Sequence, residues 1–219
     1  MSRSNPIPDE GYYHESLLYA WDLPGDFKDT VDEVRRHTQV SVDRLYNLWN
    51  LAHMCVGLEG DFWECGVFRG GSARLLSKVA RTKGKELKLF DTFCGIPNAD
   101  KELDLHNNGD FSVTSIKKVS KLVDYDKTQY IEGIIPDTFN GFDDAQIALA
   151  HVDVDTYHSV KDCCEFIWPK IILGGVMVVD DYGFKSCPGA RKALDDFCKE
   201  RGLFFLYGMA GHAILFKNN

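Results

Sequence analysis

From Ser41 onward, apolar residues recur at helical spacing. Val42, Leu45, Leu48, Trp49, Ala52 and Val56 share one face, Ser41 stands where a cap belongs, and Gly57 and Gly60 close the segment. Short apolar runs then alternate with amphipathic stretches. Residues 62–67, 87–90, 129–132, 147–152 and 172–179 predict strands, and residues 72–80, 113–123, 160–168 and 190–201 predict helices. Residues 82–85 and 100–109 read as loops. Residues 203–207 and 212–217, separated by a short turn at 208–211, predict a closing antiparallel hairpin. Such alternation implies an α/β fold, a parallel sheet with helices on both faces. Ligands of such sheets bind outside the carboxyl ends of the strands.

Residues 1–35 fit this pattern less well. Prolines at 6, 8 and 24 and glycines at 11 and 25 interrupt any long helix and predict a weakly structured arm. Tyr12, Tyr13, Leu17, Leu18, Tyr19 and Trp21 make that arm too apolar for a disordered tail. Packing against the main domain is one reading; a lid or dimer contact is the other.

Composition narrows the function classes. The chain has 219 residues, 44% of them hydrophobic, which fits one principal domain. With 25 Lys+Arg against 33 Asp+Glu the net charge is −8. That balance argues against nucleic-acid backbones and anionic membrane surfaces as partners. The longest apolar run, residues 171–179, is far short of the ~20 residues of a membrane span. The polar first ten residues do not resemble a secretory signal. Seven scattered cysteines without a CxxC pair read as reduced thiols, and a cytoplasmic location is expected.

Two clusters carry candidate chemistry. The first strand runs into Glu64-Cys65-Gly66-Val67-Phe68-Arg69-Gly70-Gly71-Ser72 before a helix. Glycines there let backbone approach a ligand, and a helix N-terminus offers free N–H groups to an anion. Asp91, at the end of the second strand, stands where an acidic side chain accepts ribose hydroxyls. A tight turn needed only for packing is the competing reading. Glycines at 66, 70 and 71 do not fit GxGxxG, which weakens a nicotinamide dinucleotide. A cofactor with a carboxylate and a cationic centre, such as S-adenosylmethionine (SAM), suits the loop better.

The second cluster is acidic. One apolar strand ends in His151-Val152-Asp153-Val154-Asp155 and another in Val178-Val179-Asp180-Asp181. Two carboxylates ~4 Å apart repel by about 4 kcal/mol at an effective dielectric of 20. Protons, divergent orientation or a cation must offset that, and oxygen donors suit Mg²⁺. Solvated loop caps are the competing reading, and Asp155 is the member most expected to be a helix cap. His151 reads as a structural histidine on the face opposite Asp153. His158 either reaches the site mouth or faces solvent. Tyr182 and Phe184 either wall an acceptor pocket or simply pack. Arg191 and Lys192, cations in a first helical turn, invite an anionic partner, with a solvated surface as the default.

Taken together these motifs resemble the macrocin O-methyltransferase (TylF/MycF-like) family of SAM- and Mg²⁺-dependent sugar O-methyltransferases. The resemblance rests on residues 64–72, on Leu89-Phe90-Asp91-Thr92-Phe93, on Gly133-Ile134-Ile135-Pro136-Asp137-Thr138 and on residues 151–157. Gly174-Gly175, residues 180–183 and residues 188–192 extend it. It implies a class I methyltransferase, Rossmann-like, with a seven-stranded, mostly parallel sheet, an antiparallel C-terminal strand and an N-terminal helical or lid segment. Residues 1–60 would be the arm and helix, serving as lid or oligomer contact, and 61–219 the SAM-dependent domain. Asp153, Asp180 and Asp181 would hold Mg²⁺. Glu64, Gly66, Val67, Gly71, Ser72 and Asp91 would meet SAM. Thr156 replaces the lysine that catechol-type relatives carry three residues after the first metal aspartate, so Asp153 is the expected general base. The expected partner is a sugar or small-molecule acceptor, in a homodimer or higher homo-oligomer. A nicotinamide-dependent oxidoreductase and a non-catalytic SAM-binding protein are the rival readings.

Overall fold

The computed structural model of the chain describes residues 20–218. Its helices are α1 (Asp26–Val34), α2 (Val42–Cys55), α3 (Gly71–Arg81), α4 (Ile116–Val123), α5 (Tyr157–Ile167) and α6 (Pro188–Arg201). Its strands are β1 (Asp61–Cys65), β2 (Leu87–Asp91), β3 (Thr128–Glu132), β4 (Ile147–Val152), β5 (Ile171–Val179), β6 (Leu206–Tyr207) and β7 (Ala213–Phe216). The strands form one seven-stranded sheet in the order β3-β2-β1-β4-β5-β7-β6. β1 to β5 pair in parallel, and β7 runs antiparallel to both β5 and β6. The expected class I topology is therefore present.

Strand alternation explains the layers. Phe62, Leu149, Val176 and Val178 face one side of the sheet, where Leu45 and Leu48 of α2, Leu75 and Leu76 of α3 and Val119 of α4 cover them. Trp63, Cys65, Ala150, Val152 and Met177 face the other, under Val160 of α5 and Ala190 and Leu194 of α6. Every residue of β4 is buried, as expected of a central parallel strand covered on both faces. Trp63 packs on Phe90 at 4.7 Å between ring centroids, and Phe139 stacks on Phe166 at 4.5 Å. Burying each such ring contributes about 1.5–3 kcal/mol. Pro188 opens α6 and Gly202, in the left-handed region, ends it.

The arm departs from expectation. α1 lies within the stretch read as weakly structured. Phe27, Thr30, Val31 and Val34 are buried at helical spacing between charged positions. Phe27 packs on Tyr46 and Trp49 of α2, at 5.0 and 5.9 Å. Pro24 and Gly25 end the preceding turn instead of breaking this helix. α1 and α2 share the core under β4 and β5, so they are built into the sheet's cover. Tyr12, Tyr13, Leu17, Leu18 and Tyr19 lie outside the described residues. The strand expected at 203–207 shrinks to Leu206–Tyr207. No helix among the described residues is long and apolar enough to cross a membrane. All seven cysteines are free thiols, six of them buried.

Candidate active site

The carboxyl ends of β1 to β5 open into a cavity of about 300 Å³. Gly66 and Val67 line it from the β1–α3 loop, Ser72 from the first turn of α3, Asp91 from the end of β2, and Asp153, Asp155, Asp180 and Asp181 from the segments just past β4 and β5. Residues 37–40 and Arg44 close it from the N-terminal side. The sequence-predicted candidates therefore converge, with two exceptions. Glu64 is fully buried under the loop and Gly71 packs against His37 and Thr38; neither lines the cavity.

On the loop side, Asp91 organises the backbone. One of its oxygens accepts the N–H groups of Val67 and Phe68 at 2.7 and 2.9 Å, and the other accepts that of Phe93 at 2.7 Å. A carboxylate has about four acceptor positions, so one remains for a ligand hydroxyl. The loop N–H groups expected to meet a cofactor carboxylate are thus engaged at Val67 and Phe68. Ser72, in the first turn of α3, lines the cavity with a hydroxyl that has no hydrogen-bond partner among the described residues. Gly66 has a second reason to be glycine. Its φ is +85°, and a Cβ there would stand 1.8 Å from the Asp153 carbonyl oxygen. The packing reading and the ligand reading hold together at this position.

On the acidic side, sequence reasoning missed Arg44. This buried side chain from α2 reaches Asp180 as an ion pair, lies 4.4 Å from the centroid of Phe184 and donates to Ser41 at 3.1 Å. Ser41 holds the expected cap position but makes no cap hydrogen bond to the helix backbone. His151 corrects a second expectation. Residues two apart on a strand share a face, so His151 joins Asp153 and Asp180 in one cluster. Its Nδ1 lies 2.8 Å from Glu64 and its Nε2 3.7 Å from Asp180. Burial opposes the imidazolium, but hydrogen bonds to Asp180 and Glu64 outweigh it and hold the His151 pKa well above its ordinary value.

The carboxylates strain against one another. Asp153 accepts no hydrogen bond among the described residues, and burial together with the charges of Asp180 and Asp181 raises its pKa well above the usual range. Asp181 accepts the Asp155 N–H at 2.9 Å, yet burial and the Asp180 charge push it up to about 7. Asp155 is raised well above its usual value by burial and by Asp181. Five carboxyl groups (Glu64, Asp153, Asp155, Asp180 and Asp181) face two buried cations, Arg44 and His151. Oxygen donors held together with this charge deficit fit a hard divalent cation.

Asp155 is not the helix cap it was expected to be. Thr156 occupies that position in α5, and the Tyr157 N–H donates instead to Asp104, in the loop before α4, at 2.9 Å. Asp155 adopts φ +60° and turns its carboxylate toward His106 and Cys187. Phe184 lines the cavity, whereas Tyr182 packs on Phe205 and Tyr207 and donates to Asp195. His158 is exposed beside Asp100. Arg191 donates to the Tyr182 carbonyl and Lys192 pairs with Asp196, so no external anion is needed to explain either.

Comparison with known proteins agrees with this geometry. A family model described as macrocin O-methyltransferase (TylF) matches residues 28–205. The tetracenomycin-C 4'-O-methyltransferase of Streptomyces olivaceus, whose substrate name specifies an 8-demethyl-8-(2,3-dimethoxy-alpha-L-rhamnosyl) group, is 29% identical over 185 residues, 76% of this chain and 69% of that protein. The demethyldecarbamoylnovobiocin O-methyltransferase of Streptomyces niveus is 26% identical over 210 residues, 88% of this chain and 79% of that one. Among solved structures, the O-methyltransferase NovP superposes with a TM-score of 0.74 at 23% identity, covering 88% of this chain and 89% of its own. The calicheamicin methyltransferase CalS11 gives 0.72 at 18% identity, covering 90% and 88%.

Proposed function

The chain belongs to the macrocin O-methyltransferase family, and from that premise we propose that it transfers the SAM methyl group, with Mg²⁺, to a hydroxyl of a sugar in a natural product. The observation that carries the reading is the pairing of two unlike walls in one cavity, the Asp91-braced loop and the carboxyl groups of Asp153, Asp180 and Asp181, the first two of which form one donor group with His151. When bound, SAM supplies an electrophilic methyl carbon and Mg²⁺ supplies positive charge that eases loss of the acceptor's hydroxyl proton.

The chain's residues do the rest. Gly66, Val67, Ser72 and the last acceptor position of Asp91 hold the cofactor, with Glu64 and Gly71 supporting the loop from beneath. Asp153, Asp180 and Asp181 hold the cation. With cofactor bound, the acceptor oxygen would be presented to the methyl carbon, and its proton would pass to a carboxylate as the carbon–oxygen bond forms and the methyl carbon–sulfur bond breaks, leaving S-adenosylhomocysteine. Asp153 is the assigned base. Asp155 is a second reading, favoured by the left-handed backbone that turns its carboxylate to the His106 side of the cavity. Holding the reactants in line contributes about 7–11 kcal/mol to lowering the barrier. Residues 37–40 and Arg44 close the cavity from the N-terminal side, and the part of residues 1–60 outside the core-packed helices α1 and α2 is what would serve as lid or oligomer contact. A cytoplasmic homo-oligomer is the expected form.

Calorimetry and turnover together test the reading. SAM should bind and NAD should not. Asp153→Ala should lower methyl transfer by about 10²–10⁴-fold and leave SAM affinity nearly unchanged. Binding of NAD in place of SAM, or unchanged turnover of Asp153→Ala, contradicts it.

A further inference from the structure

Two buried cations face the acidic wall, and they are not alike. His151 gives Nδ1 to Glu64, and its Nε2 stays 3.7 Å from Asp180. Arg44 makes the direct contact, from Nη1 to Asp180 Oδ2, between side chains only 8% and 2% exposed. It comes from the first turn of α2, outside the sheet that carries the carboxylates. A helix N-terminus disfavours a cation, and so does burial. The contact with Asp180 offsets both.

The guanidinium is fixed from three further sides. Nε donates to Ser41 Oγ at 3.1 Å, Nη2 donates to the Gln39 carbonyl at 3.3 Å, and the Phe184 ring centroid lies 4.4 Å from Cζ. Asp180 is thus the one assigned cation ligand in direct contact with a permanent charge. Asp181 accepts a backbone N–H instead, and Asp153 accepts no hydrogen bond among the described residues. An arginine does not give up its proton, so its charge stays at the wall whatever enters. A guanidinium on a ligand carboxylate repels a divalent ion on the same carboxylate and competes for its lone pairs. A neutral partner that only oriented the ligand would strengthen metal binding.

We propose that Arg44 is a tethered counter-ion that competes with the divalent cation for Asp180 and so sets how tightly the metal is held. This rests on the reading that Asp153, Asp180 and Asp181 hold that cation. The tethered charge lets the acidic wall fold before a metal arrives and keeps the metal exchangeable afterwards. Arg44 is a positioning residue in this role, acting through Asp180.

The test titrates the full chain with Mn²⁺, whose free form is counted by electron paramagnetic resonance. Arg44→Met and Arg44→Gln remove the charge, and the Gln amide still donates to Asp180, so one neutral variant keeps a partner for the buried carboxylate. Arg44→Lys keeps the charge and loses the fork that reaches Ser41 and Gln39. Circular dichroism verifies that each variant folds. The Mn²⁺ Kd should fall about tenfold or more in the neutral variants and stay within about threefold of the unaltered protein in Arg44→Lys. A folded neutral variant that binds Mn²⁺ no more tightly overturns the proposal and leaves the cation site standing. Equal tightening in Arg44→Lys assigns the effect to geometry and overturns it too. No Mn²⁺ bound by any form contradicts the cation site itself, and the proposal with it.

Discussion

Asp91 and Asp153 stand at the carboxyl ends of β2 and β4 and line the same cavity, yet their surroundings differ. Asp91 is met by three backbone N–H groups from its own and the neighbouring loop. Asp153 is met by other carboxylates, and its nearest cationic neighbour, His151, is already engaged with Glu64 and Asp180. The fold completes the loop wall by itself and leaves the acidic wall short of positive charge. A wall of the first kind gives shape to a ligand site. A wall of the second kind favours added positive charge, from protons or from a cation.

The sharpest way to break this contrast is to remove Arg44. It is the only guanidinium among the described residues paired with the cluster, so Arg44→Met leaves Asp180 buried with its main cation gone. Unfolding free energy should fall by about 3–5 kcal/mol without metal. Mg²⁺ at 100 times its Kd should restore about 2.7 kcal/mol. Chemical denaturation with and without Mg²⁺ measures both, and a loss that Mg²⁺ leaves untouched would place the metal elsewhere. Asp91→Asn probes the other wall. An amide cannot accept at both ends, so at least one backbone N–H is stranded at about 1–3 kcal/mol. SAM affinity should drop, and Mg²⁺ should rescue neither effect.

The smallest effect is in pH. Asp181 has a folded pKa of about 7 against an ordinary 3.8. Between those values the folded protein keeps a proton that the unfolded chain has released. Its contribution to stability is therefore complete below about 3.8 and is lost as pH rises through about 7. The rise in melting temperature produced by Mg²⁺ should grow by a few degrees over that interval. A Mg²⁺ effect independent of pH would mean that Asp181 lies outside the cation site.

Much of this was legible in the chain. Helical spacing found α2 and α3, and the abrupt stop of the β5 apolar run at Asp180 located the strand end, because period and burial are local properties. α1 was obscured by Pro24 and Gly25, although Phe27, Val31 and Val34 carried the period. Arg44 was beyond reach: it occupies a polar position on an amphipathic helix, and its partner lies 136 residues away. That Glu64 sits beside His151 was not legible either, because it depends on the β1–β4 register. His151 itself was recoverable, since residues 151 and 153 share strand parity. Asp155 was not, because its positive φ depends on the loop that meets it.

The central claim is that the Asp153–Asp180–Asp181 wall needs a divalent cation to act. Methyl transfer from SAM to a sugar-bearing acceptor, measured after EDTA treatment and again after Mg²⁺ is restored, tests it most directly. The account predicts loss of turnover in EDTA, full recovery with Mg²⁺ and no recovery in Asp153→Asn. Undiminished turnover in EDTA would contradict it.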